Sequence, residues 1–177
     1  MAWHVAFLRG MNLGGRRLTN ATLCEAFARL GLPGATAFRA SGNVLFQSKS
    51  DHAGLREQIE AGLREGLGYE VPTVLRTGAE VAELAVHAPF AEEVVVQTAG
   101  KLQVTLIATL PDAETQRTVL AHATEDDRLA FHDAHLFWLP RAGLSTSELP
   151  ATAIERRLGS CTTRTQGTLA GIAKRCQ

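Results

Sequence analysis

The first 77 residues alternate short apolar runs with apolar stripes of helical spacing. Val5-Ala6-Phe7-Leu8 is too short for a helix and predicts a strand over about 3–9 that is buried on both faces. Thr22 and Glu25 have the spacing of a capping box and predict the start of a helix that Gly31 ends. The remaining signals predict, in order, a strand at about 35–40, a turn at Ser41-Gly42-Asn43, a strand over Val44 to Gln47, a helix on the stripe Leu55, Ile59, Leu63 and Leu67, and a strand at about 71–76. The predicted order is therefore β-α-β-β-α-β.

Residues 78–177 repeat this order less completely. Apolar and polar positions alternate at about 101–110 and predict a strand with one face in solvent. The end of the chain offers only 160–163 as a final strand, which is therefore expected to be short or missing. No residue-level repeat is evident, so the duplication is inferred from element order alone. The other patterns predict a short helix at 79–87, a helix from 112 to about 122, hairpin strands at 128–132 and 135–139, a helix at 148–158 and a terminal helix at 169–175.

This element order predicts an α+β protein of two tandem ferredoxin-like units, 1–77 and 78–177. The second unit is expected to be incomplete or modified and to be followed by a C-terminal helix. In such a unit the first and third strands are antiparallel neighbours, and the hairpin turn lies where the first strand ends. We therefore expect the loop 10–20 and the turn Ser41-Gly42-Asn43 to lie at the same end of neighbouring strands.

The composition is that of an ordinary globular protein. The 177 residues are 45% hydrophobic and 20% charged, which excludes disordered, collagen-like and coiled-coil classes. No apolar run reaches the ~20 residues of a membrane-spanning helix, and the first residues lack the regions of a signal peptide, so we expect a cytoplasmic protein with no membrane partner. Cys24, Cys161 and Cys176 have no zinc or redox spacing and are predicted to be free thiols.

The formal net charge is zero, but basic residues concentrate at both ends of the chain. Residues 1–50 carry a net charge of +5, residues 51–136 carry −9, and residues 137–177 carry +4. Basic ends that share a face attract an anionic ligand, whereas basic ends that pair with the acidic middle only stabilise the fold. Charge counting leaves both alternatives open.

The strongest candidate for a binding site is the segment from Leu8 to Arg17, where a predicted strand ends in a glycine-bearing loop with three arginines. Backbone N–H groups before a helix, with arginines beside them, suit a phosphate or a carboxylate. The spacing matches neither a Walker loop nor a dinucleotide-binding fingerprint. In the alternative interpretation the glycines only allow a tight turn and Arg9 pairs with a local carboxylate. In the binding hypothesis Gly14 and Gly15 donate N–H groups, Arg9 and Arg16 supply charge, and Asn12 and Asn43 orient the ligand.

Two further segments bear on this hypothesis. Ser41, Gly42 and Asn43 place a hydroxyl and an amide beside the loop, although a hairpin turn prefers the same residues. Arg164 follows two threonines just before the last predicted helix, and it joins the site if that helix begins near the first loop. In the alternative interpretation, Thr163 or Thr165 only caps the helix.

Leu8-Arg9-Gly10-Met11-Asn12-Leu13-Gly14-Gly15 and Ser41-Gly42-Asn43-Val44 resemble the L-R-G-x-N-x-G-G loop and S-G-N-[VI] turn of the bacterial family catalogued as domain of unknown function 1697. Pro89-Phe90 is similar to a pair near the middle of that family, and the resemblance covers nearly the whole chain. Thr162-Thr163-Arg164 matches only the start of the C-terminal T-T-R-x-W-N-T, since the tryptophan and asparagine are lacking here. The resemblance implies two related α+β units in tandem. It assigns no activity, because the function of the family is unknown.

Together these patterns favour binding of a small anionic or nucleotide-like ligand, with cofactor and oligomeric state unassigned. An enzyme using the same pocket is an alternative, and it requires a histidine or carboxylate from the second half of the chain. Nucleic acid is a less favoured partner because the candidate sheet strands read as buried, and a plain oligomerisation domain requires an exposed apolar sheet. Solvent-exposed hairpin residues explain His122, His132 and His135 better than metal ligands do, so no metal site is predicted.

Overall fold

The computed structural model describes residues 1–10, 18–50 and 52–177, and within them the chain forms two compact units. The first unit comprises Met1–Glu83 together with Gly171–Gln177, and the second comprises Leu84–Ala170. The protein is of the mixed α+β class, and each unit contains a four-stranded antiparallel sheet. No helix in the described part of the chain is long and apolar enough to cross a membrane. The predicted division of the chain into units 1–77 and 78–177 stays a prediction.

The first unit has the element order β-α-β-β-α-β that the sequence predicts. Its elements are β1 (Ala2–Leu8), α1 (Asn20–Arg29), β2 (Thr36–Ala37), β3 (Asn43–Ser48), α2 (His52–Leu67) and β4 (Thr73–Thr77), and α3 (Gly78–Val86) follows them. The strands are ordered β2-β3-β1-β4, and every neighbouring pair is antiparallel. The first and third strands are therefore neighbours, as expected.

The central strand β1 is buried on both of its faces. Ala6 and Leu8 pack against the helices, while Val5 and Phe7 alternate to the other face and are equally inaccessible to solvent. A strand covered on both faces has a continuous apolar sequence, and this explains the run from which it was predicted. The helices contribute the predicted stripes to this core, with Leu23 and Phe27 from α1 and Leu55, Ile59 and Leu63 from α2.

The first helix begins one turn earlier than the capping box predicts. The Oγ1 atom of Thr19 accepts the backbone N–H of Thr22 at 3.1 Å, and Thr19 has the extended backbone of an N-cap residue. Thr22 therefore lies inside the helix, and the prediction of a cap at Thr22 is wrong. A threonine three residues upstream satisfies the same kind of free N–H group while adding a turn to the helix. The helix ends as predicted before Gly31, whose φ is 79°.

The second unit contains the same pattern of strands and crossing helices. Its sheet has the equivalent strand order, β6-β7-β5-β8, again with antiparallel neighbours. These strands and their helices are α4 (Glu92–Val96), β5 (Gln103–Ile107), α5 (Ala113–Leu120), β6 (Asp127–His132), β7 (His135–Pro140), α6 (Ala151–Leu158), β8 (Cys161–Thr165) and α7 (Gln166–Ala173). The short helix α4 is absent from the sequence prediction.

The fourth strand of the second unit is complete, so the prediction that it is short or missing is wrong. β8 extends from Cys161 to Thr165, and all five residues pair with β5. Threonine is β-branched and favours strands, but its hydroxyl makes the segment polar. A search for apolar alternation therefore overlooks a strand of this composition.

The prediction that β5 is half solvated is also wrong, because all five of its residues are buried. The side-chain hydroxyls of Thr105 and Thr163 form a hydrogen bond across the β5–β8 pair, with 2.8 Å between the two oxygen atoms. The side-chain amide of Gln103 donates to the carbonyl of Lys101 at 2.6 Å. Hydrogen bonds of this kind satisfy polar side chains without water. The alternation of apolar and polar residues therefore does not predict which residues of β5 are buried, because polar side chains that form hydrogen bonds can be buried as well.

The two units share a residue-level repeat that the sequence alone does not reveal. Arg76 on β4 pairs with Val5, and Arg164 on β8 pairs with Val104, at equivalent positions of the two sheets. Each guanidinium donates to the carbonyl of the preceding residue, at 2.7 and 2.8 Å. Burial lowers the pKa of both groups, to about 10 for Arg164, while the nearby Glu80 partly opposes the shift for Arg76. The correspondence between the two sheets therefore extends to individual side chains.

The threonine that follows each arginine also has the same role in both units. The Oγ1 atom of Thr77 accepts the N–H of Glu80, and the Oγ1 atom of Thr165 accepts the N–H of Thr168, each at 3.1 Å. Each threonine thereby caps the helix after its strand. This outcome agrees with the capping alternative for the C-terminal segment.

Candidate functional site

Three segments of the first unit meet where β1 ends. The N–H of Leu8 donates to the carbonyl of Gly42 at 2.8 Å, and the N–H of Arg9 donates to the carbonyl of Pro72 at 3.0 Å. The end of β1 and the 41–43 turn therefore lie at one end of neighbouring strands, which is the placement expected from the element order. The predicted site residues Asn12, Gly14, Gly15 and Arg16 lie outside the described residues.

Asn43 stabilises the hairpin turn through its side-chain amide. Its Nδ2 atom donates to the carbonyl of Phe38 at 3.0 Å and to the Oγ of Ser41 at 2.8 Å, so both amide hydrogens are bonded within the turn. Gly42 between them has a φ of 70°. These contacts support the turn-forming interpretation of the three residues, and ligand orientation by Asn43 stays a prediction.

The hairpin of the second unit contains the equivalent contact. His135 occupies the strand position that corresponds to Asn43, and its Nδ1 atom donates to the carbonyl of His132 at 3.1 Å. The next residue after the bonded carbonyl has a left-handed backbone in both turns, with φ of 57° at Arg39 and 47° at Asp133. These two are the positive-φ residues other than glycine in the described part of the chain. The first turn is longer than the second by two residues.

Two arginine side chains converge on the aromatic ring beside this first turn. The Cζ atom of Arg39 lies 5.4 Å from the ring centroid of Phe38, and the Cζ atom of Arg175 lies 4.9 Å from the same point. Both side chains are exposed, and neither forms an ion pair with a carboxylate of the described residues. Phe38, Arg39 and Arg175, which we call the arginine pair and its ring, therefore bring two positive charges to the first hairpin turn.

The C-terminal segment reaches this ring by close packing. A Cβ atom placed on Gly171 would lie 2.7 Å from the Cζ atom of Phe38, so α7 approaches the ring edge as closely as glycine permits. Arg175 lies one helical turn further along the chain. No local signal relates residue 38 to residue 175, and neither Phe38 nor Arg175 is therefore predicted from the sequence. Arg39 was missed because arginine is an uncommon residue at positive φ.

Arg164 lies near the end of strand β8, just before the last helix, α7, begins at Gln166. Its Nη1 atom donates to the Oγ1 of Thr162 at 2.7 Å and to the carbonyl of Thr163 at 2.8 Å. The group remains cationic at neutral pH, because even the lowered pKa of about 10 is well above 7. Participation of Arg164 in the site of the first unit stays a prediction.

A pair of histidines lies at the opposite end of β1 and was missed by sequence reasoning. His4 is 4% exposed and stacks on Phe46, and its ring centroid lies 5.2 Å from that of His52. The Nδ1 atom of His4 and the Nε2 atom of His52 are buried without hydrogen-bond partners in the described part of the chain. Burial lowers the pKa of His4, and the neighbouring His52 lowers it further.

This lowered pKa predicts a loss of stability in acid. The unfolded chain binds a proton at His4 near the ordinary pKa of 6.5, whereas the folded chain resists protonation, so the stabilisation is complete above 6.5 and declines as the pH falls below it. The His4→Phe substitution keeps an aromatic ring against Phe46 and removes the titrating group. Between about pH 7.5 and about pH 5.5, we expect the free energy of unfolding of this variant to decrease less than that of the wild type, as measured by urea denaturation. The exposed His122→Gln serves as the control and should keep the wild-type slope. Equal slopes for His4→Phe and wild type would contradict the prediction.

Comparison with known proteins gives a family and a fold. The sequence model of a family described as "Protein of unknown function (DUF1697)" matches residues 1–137. The chain is similar in structure to the conserved bacterial protein SP0830 from Streptococcus pneumoniae, with a TM-score of 0.80 and 20% sequence identity over 99% of each chain. No curated protein matches the chain.

Proposed function

The chain belongs to the DUF1697 family, whose function is unknown, and we propose that it binds a small anionic ligand, such as a phosphate-bearing or nucleotide-like molecule, at the end of β1 in its first unit. The arginine pair and its ring carry this proposal. Both distances are measured to one ring centroid, so the two guanidinium carbons lie within about 10 Å of each other. Like charges at this spacing repel each other, and a bound anion removes that repulsion.

The geometry favours a phosphate or carboxylate over a neutral ligand. A guanidinium presents a planar fork of N–H donors that suits two oxygen atoms of such a group. Arg9 directly follows β1 at the same end of the sheet, where its backbone N–H donates to the carbonyl of Pro72, just before β4. The predicted donors in the loop, Gly14, Gly15, Arg16 and Asn12, would complete the site, and their roles stay predictions.

We also propose that both units are ferredoxin-like, because the two sheets have equivalent strand orders and equivalent registers. Val5, Phe7 and Leu45 are buried on the sheet face that single-stranded RNA binders of this plan keep open, and this argues against nucleic acid as the ligand. A cytoplasmic location of the protein stays a prediction from the sequence.

Thermal unfolding with and without ligand tests the binding proposal. Inorganic phosphate and adenosine monophosphate, each added in excess, should raise the melting temperature of the wild-type protein, because a ligand that binds only the folded state stabilises it by mass action. Arg175→Met should remove most of that rise while its melting temperature without ligand stays nearly unchanged, and Arg9→Met should also reduce the rise. Methionine keeps much of the apolar stem and removes the charge.

Arg29→Met is the matched control, because Arg29 is exposed on α1 of the same unit and pairs there with Glu25 at 3.7 Å. The control should keep the full response to phosphate. If Arg175→Met and Arg9→Met lower the melting temperature equally with and without ligand, the arginines are structural and the proposal fails. No response of the wild-type protein to either ligand would also reject it.

A further inference from the structure

The second unit contains a cavity of about 870 Å³ beside the start of β6. Its walls come from the segment at 97–99, the 122–127 region, the end of β7 at Pro140 and the loop at 141–150. Sites that take small organic molecules have volumes of about 300–1,000 Å³, so this cavity has the capacity of a ligand site. It lies within one unit and is independent of the arginine pair and its ring.

A buried carboxylate forms part of the cavity wall. Asp127 is the first residue of β6 and is 5% exposed. Its Oδ1 atom accepts the indole N–H of Trp138 and the hydroxyl of Ser147, each at 2.7 Å, while Oδ2 has no donor among the described residues. Neither donor carries a charge, and Asp127 forms no ion pair in the described part of the chain. A buried carboxylate normally has a cationic partner.

The charges around Asp127 leave the cavity negative. Asp126 is already paired with Arg141 at 3.4 Å, and Glu148 adds a further carboxylate to the lining. The only other titratable side chain among the described lining residues is His122. The lining therefore repels anions and is complementary to a positively charged ligand.

The ligand that fits this lining is organic. No group of three or more histidine, cysteine, aspartate or glutamate side chains is placed to hold a metal ion within the described ranges. Leu149, Pro140 and Ala99 add apolar wall to the cavity. A molecule with an apolar body and one cationic group would use both the walls and the carboxylate.

We propose that this cavity binds a small organic cation, an ammonium or guanidinium group on an apolar body, with the charge against Oδ2 of Asp127. The two hydrogen bonds to Oδ1 fix the carboxylate and leave Oδ2 for the ligand. This proposal does not depend on the anion site of the first unit. A protein that fails to bind phosphate can still bind the cation, and the reverse is equally true.

Three near-isosteric probes separate charge from shape: phenethylamine, phenethyl alcohol and phenylacetate. The indole N–H of Trp138 is bonded to Asp127 and reports on the site in ¹⁵N-correlated NMR spectra, where Trp3 supplies the other indole signal. Phenethylamine should shift the Trp138 signal saturably, while the alcohol and the anion should bind at least about tenfold more weakly. No saturable shift with phenethylamine, or equal binding of the alcohol, would overturn the proposal.

Asp127→Asn removes the charge and keeps an oxygen for the two donors, and it should weaken phenethylamine binding by at least about tenfold. The matched control is Asp133→Asn, which makes the same change at the other end of β6 and should bind as wild type does. If Asp127→Asn does not fold, Glu148→Gln on the exposed rim tests the same charge and should weaken binding about threefold. Wild-type affinity in the folded Asp127→Asn protein, or in Glu148→Gln when that variant is used, would overturn the assignment.

Discussion

Replacing Gly100 with alanine is expected to destabilise the second unit by about 3 kcal/mol or more. A Cβ atom at this position would overlap the carbonyl oxygen of Pro140, which is backbone and has no rotamer by which to move away. The N–H groups of Ala99 and Gly100 both donate to the carbonyl of Arg141, at 2.9 and 3.3 Å, so separating the two segments also breaks these bonds. Urea denaturation followed by circular dichroism measures the loss.

Gly167→Ala is the control for this prediction. Gly167 lies in α7, and a Cβ atom placed there would meet no other segment of the described chain within 4 Å. Alanine is also the better helix former, so the control should be neutral or should stabilise the protein by up to about 1 kcal/mol. A Gly100→Ala protein as stable as Gly167→Ala would show that the 99–100 and 140–141 segments are not held together as described.

Replacing Asn43 with alanine is expected to cost about 2–3 kcal/mol, because the substitution leaves the buried carbonyl of Phe38 without its side-chain donor. Asn43→Asp should cost at least as much, since it places a carboxylate oxygen where the amide nitrogen now donates to Phe38 and Ser41. Asn20→Ala, at the exposed first residue of α1, should change the free energy of unfolding by less than about 0.5 kcal/mol. A neutral effect of both Asn43 substitutions would contradict the role of this amide in the turn.

The parts of the fold that could be predicted are those with strong local signals. The apolar run of β1, the four-residue stripe of α2 and the glycine-asparagine pair at the first turn each depend on residues close together in sequence. These signals were sufficient to place the end of β1 beside Gly42. The N-cap of α1 was misplaced because Thr19 and Thr22 are chemically similar, and only the backbone shows which of them caps the helix.

The remaining features depend on contacts between distant residues. β8 is a strand because it pairs with β5, and its threonine-rich sequence alone has no apolar periodicity. The carboxylate of Asp127 is buried by Trp138 and Ser147, which are 11 and 20 residues away. No local pattern around Asp126-Asp127 in the sequence reports such burial. The arginine pair likewise requires the C-terminal segment to return to Phe38.

The two hairpin turns have equivalent hydrogen bonds but different residues at their corners. Arg39 and Asp133 occupy the same left-handed position after the same bonded carbonyl, yet they have opposite charges. The hydrogen bond from the following strand is present in both turns, so the same backbone accepts corner residues of opposite charge. The same turn geometry therefore carries a positive charge in one unit and a negative charge in the other, and exchanging the two corner residues would reverse the charge of each turn while the hydrogen bond that closes the turn remains.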